Sequence, residues 1–223
     1  MTTSRFITFE GGEGAGKSTQ VRLLAERLTA AGLTAVLTRE PGGTPFAEKV
    51  RDIVLTPEFA PKAPLAEALL FSAARADHLE QVIRPALARG EWVISDRFAD
   101  STRAYQGAAG GLSPLTIDAI EHIALGETKP HLTIVLDLDP KTGLARANAR
   151  RGAQTPGTFV ATDTFEGRKL AFHERLRQGF LDIARAEPAR VAVIDAFQNQ
   201  LTIADAVWSL VNERLVPQPT MSR

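Results

Sequence analysis

The 223-residue sequence contains no cysteine, which excludes disulfides, thiolate metal sites, iron–sulfur clusters and cysteine nucleophiles. It has no excess of either charge, because 26 Lys and Arg residues balance 26 Asp and Glu residues. This balance argues against a dedicated nucleic-acid or membrane-surface protein, which would carry a basic excess. The sequence also lacks a run of 18 apolar residues and a signal-peptide pattern at its start. We therefore expect a cytoplasmic protein with neither a membrane nor a nucleic-acid partner.

The remaining composition is typical of one globular domain. Hydrophobic residues make up 44% of the chain and charged residues 23%, and the length suits a single core. Residues 1–215 are predicted to form one domain without internal repeats, and residues 216–223 are predicted to be a disordered tail. The four histidines, at positions 78, 122, 131 and 173, lack the spacing of metal ligands and are interpreted as structural or surface groups.

Five short runs of apolar and β-branched residues are predicted to be strands: Arg5–Phe9, Leu33–Thr38, Glu91–Ser95, Leu132–Leu138 and Arg190–Asp195. The last four are nearly continuous apolar runs, which is typical of strands buried on both faces. Helical patterns lie between them, for example the repeat of Phe46, Val50 and Ile53. Strands that alternate with helices predict an α/β fold with a parallel sheet, and ligands should bind at the carboxyl ends of its strands.

A phosphate-binding loop follows the first predicted strand. Residues 11–18 read GGEGAGKS and match G-x-x-x-x-G-K-[ST], in the strand–loop–helix context that supports the motif. Its glycines allow backbone N–H groups to surround an anion, and the helix N-terminus adds partial positive charge. Lys17 should reach the β- and γ-phosphates, and the Ser18 hydroxyl should bind Mg²⁺. The predicted nucleotide-binding residues are Gly11, Gly12, Glu13, Gly14, Ala15, Gly16, Lys17, Ser18 and Thr19.

The loop predicts nucleoside triphosphate binding but not the reaction that follows. Asparagine occurs only at positions 148, 199 and 212, so the Asn-Lys-x-Asp segment that GTPases usually use for guanine is missing. A small kinase requires a second pocket for the phosphate acceptor. Three alternatives stay open on the loop alone: a nucleotide kinase, a deoxynucleoside kinase and a nucleotide-binding regulatory module.

Candidates for an acceptor pocket follow the second and third predicted strands. Asp96 follows the third strand and is suited to the Mg²⁺ shell or to the attacking oxygen, and Arg97 beside it is suited to an acceptor phosphate. Arg39 follows the second strand and is an alternative anion ligand. For these residues the competing interpretations are a surface ion pair and an exposed turn.

Two further segments carry groups that suit a nucleoside. Phe71 and Arg75 are four residues apart on one predicted helix, so they share a face on which a ring can stack and a guanidinium can donate to a planar base. Taken alone, Phe71 is more often a core residue. Residues 101–107, STRAYQG, are rich in hydrogen-bonding groups and include Tyr105, the only tyrosine of the chain; a buried tyrosine usually finds a polar partner.

Taken together, these segments resemble the thymidylate kinase family from about Arg5 to Leu215. The segments that carry the resemblance, in this order, are Phe9–Gly11 leading into the loop, Thr38–Thr44, Leu70–Arg75, Asp96–Phe98, Ala104–Gly107 and Asp163–Glu166. Adenylate and UMP/CMP kinases usually carry a proline in the loop where this chain has Glu13. The resemblance implies a three-layer sandwich of the P-loop nucleoside monophosphate kinase type, with a five-stranded parallel sheet. It also implies a homodimer that phosphorylates dTMP to dTDP with MgATP in dTTP synthesis.

The resemblance also implies roles for individual residues. By this comparison Phe71 stacks on thymine and Arg75 donates to a thymine carbonyl. Arg39 and Arg97 hold the dTMP phosphate, and Tyr105 lies under the sugar, where it would clash with a ribose 2′-hydroxyl. Three polar residues fall near the base: Ser101, Thr102 and Gln106. Three acids fall near the 3′-hydroxyl: Glu13, Asp163 and Glu166.

The distribution of basic residues resembles that of bacterial family members, which carry their arginines in a lid. The loop has no base at its variable positions, whereas residues 144–151 read LARANARR. We predict a lid over residues 146–162 that closes over the phosphates, where an arginine stabilises transferring charge. Arg146 and Arg150 share a helix face, and Arg150 is the first choice for the arginine that contacts the transferred phosphoryl group. Asn148 departs from the family pattern, and Arg151 is an alternative. The competing interpretation is a solvated basic helix face. The predicted catalytic residues are Lys17, Asp96, Arg97, Arg146 and Arg150, and the predicted metal ligands are Ser18 and Asp96.

Overall fold

Five parallel strands form the centre of the computed structural model, which describes residues 4–154 and 164–216, the side chains of 151–154 excepted. The strands are β1 (Phe6–Glu10), β2 (Ala35–Arg39), β3 (Trp92–Asp96), β4 (Leu132–Asp137) and β5 (Val191–Asp195). Their order across the sheet is β2-β3-β1-β4-β5. The predicted α/β fold with a five-stranded parallel sheet is confirmed, with strand ends within about two residues of the predicted ones because apolar runs mark strands better than their ends.

Helices connect the strands and flank the sheet. They are α1 (Lys17–Ala30), α2 (Pro45–Leu55), α3 (Pro64–His78), α4 (Arg84–Ala88), α5 (Ala99–Thr102), α6 (Pro114–Leu125), α7 (Pro140–Gln154), α8 (Leu170–Ala186) and α9 (Gln200–Leu215). Two π-helical segments, Leu79–Ile83 and Arg103–Ala109, follow α3 and α5 directly. Among the described residues no helix combines the length and apolar character that crossing a membrane requires.

Neighbouring residues of β4 show why the fold has three layers. Ile134 and Val135 are both buried, but they belong to different apolar clusters. Ile134 packs with residues of α1 and α9, and Val135 packs with residues of α8. Because successive side chains of a strand point to opposite faces, helices cover both sides of the sheet.

Two of the strands are less buried than the sequence predicted. The prediction of burial on both faces is wrong for β2 and β5, where Leu37 is 47% exposed and Val193 is 44% exposed. Both strands lie at the edges of the sheet. An apolar run does not distinguish an edge strand from a central one, since that difference arises only when the sheet is assembled.

The helix α2 buries a different face from the predicted one. Phe46 and Ile53 are exposed, and the buried residues of α2 are Ala47, Val50 and Val54. The side chain of Thr44 caps this helix by accepting from the backbone N–H of Ala47. The small Ala47 allows close approach to α3, and this leaves the larger apolar residues on the outside.

The predicted lid begins as regular helix. Because α7 extends to Gln154, the first residues of the range 146–162 are helical, and residues 155–162 lie outside the described residues. Residues 217–223 of the predicted disordered tail also lie outside them. The assignment of residues 1–215 to one domain stays a prediction.

Candidate active site

The loop between β1 and α1 depends on glycine at two close contacts. Gly11 has φ of 133°, and a Cβ there would lie 2.5 Å from the carbonyl oxygen of Leu136. Gly14 has φ of 67°, and a Cβ there would lie 2.1 Å from the carbonyl oxygen of Gly143 in α7. Side chains rarely adopt these torsions and have no room at these positions. The phosphate-binding loop is therefore packed directly against the start of α7.

The loop ends in two side chains suited to phosphate and metal. Lys17 Nζ donates to the carbonyl oxygens of Gly11 at 3.2 Å and Gly12 at 2.8 Å. Burial, together with the nearby Arg97, lowers the pKa of Lys17 to about 8. Ser18 Oγ donates to Oδ2 of Asp96 at the end of β3. This pair of hard oxygen ligands fits Mg²⁺.

A polar cavity of about 220 Å³ lies beside this loop. The polar side chains that line it are Glu13, Lys17, Ser18, Thr19, Arg39, Glu40, Arg51, Asp96, Arg97, Arg150 and Glu166. Five of these eleven side chains are Lys or Arg and four are acids, so the cavity offers cations to phosphate groups and carboxylates to a metal ion. We call it the phosphate cavity.

Arg97 lies at the junction between the loop and β3. Its φ of 72° falls in the left-handed region that non-glycine residues rarely adopt. The guanidinium donates to the Gly11 carbonyl at 3.1 Å and to Glu13 Oε1 at 2.9 Å. Burial alone would raise the pKa of Glu13, but the charges of Arg97 and Lys17 lower it to about 2. The loop acid is thus ionised and paired with Arg97.

A second cavity, of about 120 Å³, adjoins the phosphate cavity. Its apolar lining comes mainly from Pro41, Leu55, Phe71, Tyr105 and Phe165, and its polar lining includes Arg75, Ser101, Thr102 and Gln106. Phe71 is half-buried, and its ring centroid lies 5.9 Å from that of Phe165. Phe71 therefore lines a cavity and is not a fully buried core residue. We call this the base cavity.

Arg75 is buried at the rear of the base cavity. Its Nε donates to Glu40 Oε2 at 2.7 Å, and its Nη2 donates to the Phe98 carbonyl and to Thr102 Oγ1, both at 3.1 Å. Its Nη1 has no hydrogen-bond partner among the described residues. A buried donor without a partner is costly, so this atom is ready for a ligand acceptor.

Comparison with known proteins agrees with this geometry. A family model described as thymidylate kinase matches residues 9–207. The chain belongs to the thymidylate kinase family. A thymidylate kinase from Bradyrhizobium diazoefficiens is 54% identical over 215 residues, covering 96% of this chain and 92% of that protein. One from Caulobacter vibrioides is 53% identical over 215 residues, covering 96% and 99%.

A solved structure supports the same assignment. The crystal structure of thymidylate kinase from Ehrlichia chaffeensis matches with a TM-score of 0.74 and 33% identity, covering 94% of this chain and 98% of that one. As a member of this family, the chain phosphorylates dTMP to dTDP, with MgATP as the phosphoryl donor, in the synthesis of dTTP.

The predicted arginines of this thymidylate kinase occupy different environments. Arg39 pairs with Glu48 at 2.9 Å and lines the phosphate cavity. Arg150 lines the same cavity, whereas Arg146 does not; its Nη1 donates to the carbonyl of Ala196 at 3.1 Å. The two arginines therefore have different surroundings although they share a face of α7, because Arg146 meets a carbonyl just after β5. A catalytic role for Arg146 stays a prediction.

Two of the other predicted site residues donate hydrogen bonds to buried acids, and some lie outside the described residues. Ser101 Oγ donates to Glu10 Oε2 at 2.6 Å, and Gln106 Nε2 donates to Glu67 Oε2 at 3.0 Å. Glu166 lines the phosphate cavity. Asp163 lies outside the described residues, as does the side chain of Arg151.

Several residues at the site were assigned no role from the sequence. Glu10 is fully buried inside a strand; burial, reinforced by the nearby Asp100 carboxylate, raises its pKa to about 8. Arg51 lines both cavities from α2, where it resembles any helical arginine. Phe165 lines the base cavity from the turn before α8. Glu10, Glu40 and Phe165 had a usable signal, since they lie in segments that resemble the family, whereas Arg51 had none.

Proposed function

We propose that dTMP binds with its base in the base cavity and its phosphate in the phosphate cavity, next to MgATP on the loop. The observation that supports this is a shared wall: Glu13, Glu40, Arg51 and Arg97 line both cavities. A nucleotide whose base occupies the base cavity has its phosphate directed toward Lys17 and the loop.

The base is held by stacking and by one guanidinium. Phe71 stacks on the thymine ring, and the Nη1 donor of Arg75 meets a thymine carbonyl. Tyr105 lies under the deoxyribose, where its buried ring leaves little room for a 2′-hydroxyl. Three polar side chains complete the pocket around the nucleoside: Ser101, Thr102 and Gln106.

The phosphates are held by the basic side chains. Arg39 and Arg97 bind the dTMP phosphate, and Arg39 leaves Glu48 to do so. Loop N–H groups and Lys17 bind the ATP phosphates, and Arg150 stabilises charge on the transferring group. Three acids bind near the 3′-hydroxyl: Glu13, Asp163 and Glu166. Closure of residues 146–162 over the site stays a prediction.

The chemistry requires no side-chain nucleophile. An oxygen of the dTMP phosphate attacks the γ-phosphorus of ATP, the bond from that phosphorus to the β–γ bridging oxygen breaks, and ADP leaves. The chain supplies positioning and charge stabilisation. Ser18 and Asp96 hold Mg²⁺, which when bound neutralises phosphate charge. Arg97 holds the attacking phosphate of dTMP, and Lys17 holds the phosphates of ATP. Both reactants are therefore aligned before transfer.

We also propose a homodimer and a cytoplasmic location. Large apolar side chains are exposed on α2, α3 and α6, including Phe46, Leu69 and Ile123, and α3 packs against both other helices. A second copy of this chain would cover such a surface. Light scattering of the wild type and of Leu69→Glu tests the dimer: a dimeric mass that becomes monomeric supports it, and a monomeric wild type contradicts it. Fractionation of producing cells tests the location.

The site assignment is tested by ADP release with MgATP and a panel of acceptors: dTMP, dUMP, UMP, AMP and thymidine. We expect fast turnover mainly with dTMP. Some turnover of dUMP is compatible with the proposal, since one methyl group in an apolar pocket contributes only about 1–3 kcal/mol. Equal turnover of UMP or AMP would contradict the roles proposed for Phe71, Arg75 and Tyr105.

A further inference from the structure

A continuous chain of side-chain contacts connects the partly buried Thr38 of β2 to the rear of the base cavity. Thr38 Oγ1 lies 2.6 Å from His78 Nε2, and His78 Nδ1 lies 3.1 Å from Glu40 Oε1. The other carboxylate oxygen of Glu40 accepts from Arg75 Nε at 2.7 Å. His78 is completely buried, and Glu40 and Arg75 are nearly so. The order of contact is therefore Thr38, His78, Glu40, Arg75.

These contacts leave the Arg75 guanidinium one possible direction. Glu40 fixes Nε, while the Phe98 carbonyl and Thr102 Oγ1 fix Nη2. A guanidinium is planar, so two fixed edges determine where the third nitrogen points. That nitrogen, Nη1, is the one without a hydrogen-bond partner among the described residues, and Arg75 lines the base cavity.

Two contacts hold the ring of His78 in a fixed orientation. Thr38 can donate its hydroxyl proton to Nε2, and an Nδ1–H can then donate to Glu40. The second carboxylate oxygen of Glu40 accepts from Arg75. Gly43 closes the turn over the ring, because a Cβ at Gly43 would lie 2.6 Å from His78 Nε2. The ring of His78 is thus held on three sides.

We propose that Glu40 and His78 are positioning residues for nucleobase recognition: Glu40 orients the Arg75 guanidinium toward the base, and His78 orients Glu40. The inference rests on the proposed contact between Arg75 and thymine. A buried arginine requires a paired acid, but pairing alone does not require a buried histidine and a threonine behind the acid. Those two residues fix the direction of the carboxylate.

The first test is Glu40→Gln, with Glu213→Gln on the exposed side of α9 as the matched control. We expect the KM for dTMP to rise about tenfold, as for the loss of one charge-assisted hydrogen bond, with kcat and the KM for ATP changed less than about twofold. The control should change none of these constants. A fall in kcat together with equal rises in both KM values would mean a general structural role and would overturn the proposal.

The second test uses His78, in case Glu40→Gln does not fold. His78→Asn keeps a donor near the Nδ1 position, and His78→Leu removes it. We expect the KM for dTMP to rise in His78→Leu and to recover at least partly in His78→Asn, with melting temperatures measured for both. Equal dTMP affinity in the two variants would overturn the role of His78.

A double-mutant comparison separates this inference from the site proposal. If Glu40 acts through Arg75, then adding Glu40→Gln to Arg75→Ala should raise the KM for dTMP no further. An unchanged KM for dTMP in Arg75→Ala alone would contradict the contact between Arg75 and the base. A raised KM in Arg75→Ala with an unchanged KM in Glu40→Gln would contradict only the positioning role.

Discussion

The hydroxyl of Tyr105 donates a 2.5 Å hydrogen bond to Oε1 of Glu13. The same carboxylate oxygen accepts from Arg97 at 2.9 Å, and the Arg97 guanidinium lies 4.9 Å from the centre of the Tyr105 ring. A side chain of the phosphate-binding loop is therefore in direct contact with the π-helical segment that lines the base cavity. The phosphate-binding loop and the base cavity are thus joined through one acid.

Replacement of Lys17 tests the assignment of the ATP site. Lys17→Ala removes a buried cation beside the loop carbonyls, and we expect kcat to fall by about 100-fold or more, as when one preorganised donor to a transferring group is lost. Steady-state ADP release measures this. Lys49→Ala, on the exposed surface of α2, is the control, and near-normal turnover of Lys17→Ala would refute the loop assignment.

Truncation of Phe71 tests the stacking role. Phe71→Ala should raise the KM for dTMP about tenfold, because stacking of a base on an aromatic ring contributes roughly 1–3 kcal/mol. The KM for ATP should change little. Phe59→Ala, at an exposed position, controls for loss of an aromatic ring. If both KM values stay at the wild-type level in Phe71→Ala, the ring acts only in packing.

A methyl group at Gly143 should disturb the loop without touching a ligand. The Cβ in Gly143→Ala would lie 2.3 Å from the Glu13 carbonyl oxygen, so the loop and α7 must separate, at a cost of about 1–3 kcal/mol. We expect a raised KM for ATP, a lower kcat and a lower melting temperature. Ala145→Ser, at an exposed position of the same helix, should leave the KM for ATP, kcat and the melting temperature unchanged. If Gly143→Ala also leaves these values unchanged, the loop adapts to the added methyl group.

The raised pKa of Glu10 predicts a pH dependence of stability. The folded state keeps the Glu10 proton up to about pH 8, whereas the unfolded chain loses it above about pH 4.5. Between these values the folded state binds more protons, so stability falls as pH rises, by up to about 1.4 kcal/mol per pH unit from this group.

Replacement of Glu10 by glutamine should remove this dependence. Glutamine can accept from the N–H of Phe98 as Glu10 does, and its amide can donate to Ser101 Oγ in place of the hydrogen bond that Ser101 donates to Glu10. We expect Glu10→Gln to lose less stability than the wild type between pH 6 and pH 8 in urea unfolding. The exposed Glu58→Gln is the control. Parallel pH profiles for Glu10→Gln and the wild type would mean that Glu10 is ionised in the fold.

The sequence predicted features that neighbouring residues determine. The loop needs glycines and Lys17 in one short segment, and the parallel sheet needs apolar runs separated by helices. The paired positions of Phe71 and Arg75 also follow from one helical turn. These features depend on the spacing of residues that are close in the sequence. Lys17 lines the phosphate cavity, and Phe71 and Arg75 line the base cavity.

Features that depend on assembly could not be predicted in this way. Arg146 and Arg150 are only about 40° apart around α7 but about 6 Å apart along it. The surroundings of each arginine therefore depend on which part of the fold lies beside that turn of the helix. Glu10 is an acid in an apolar strand, where periodicity carries no information on a buried hydrogen bond. The π-helical segment around Tyr105 likewise has no sequence pattern that separates it from α-helix.

The backbone contact between Gly14 and Gly143 sets how far Arg150 lies from the phosphate-binding loop. Arg150 lies seven residues beyond Gly143, which is about 10.5 Å along α7. Because the contact joins two backbones, no side chain there can be enlarged or trimmed to adjust this distance. A longer or shorter reach would require residues inserted into or removed from the helix between positions 143 and 150. Within a continuous α7, only the side chain of Arg150 can vary the distance between its guanidinium and the loop.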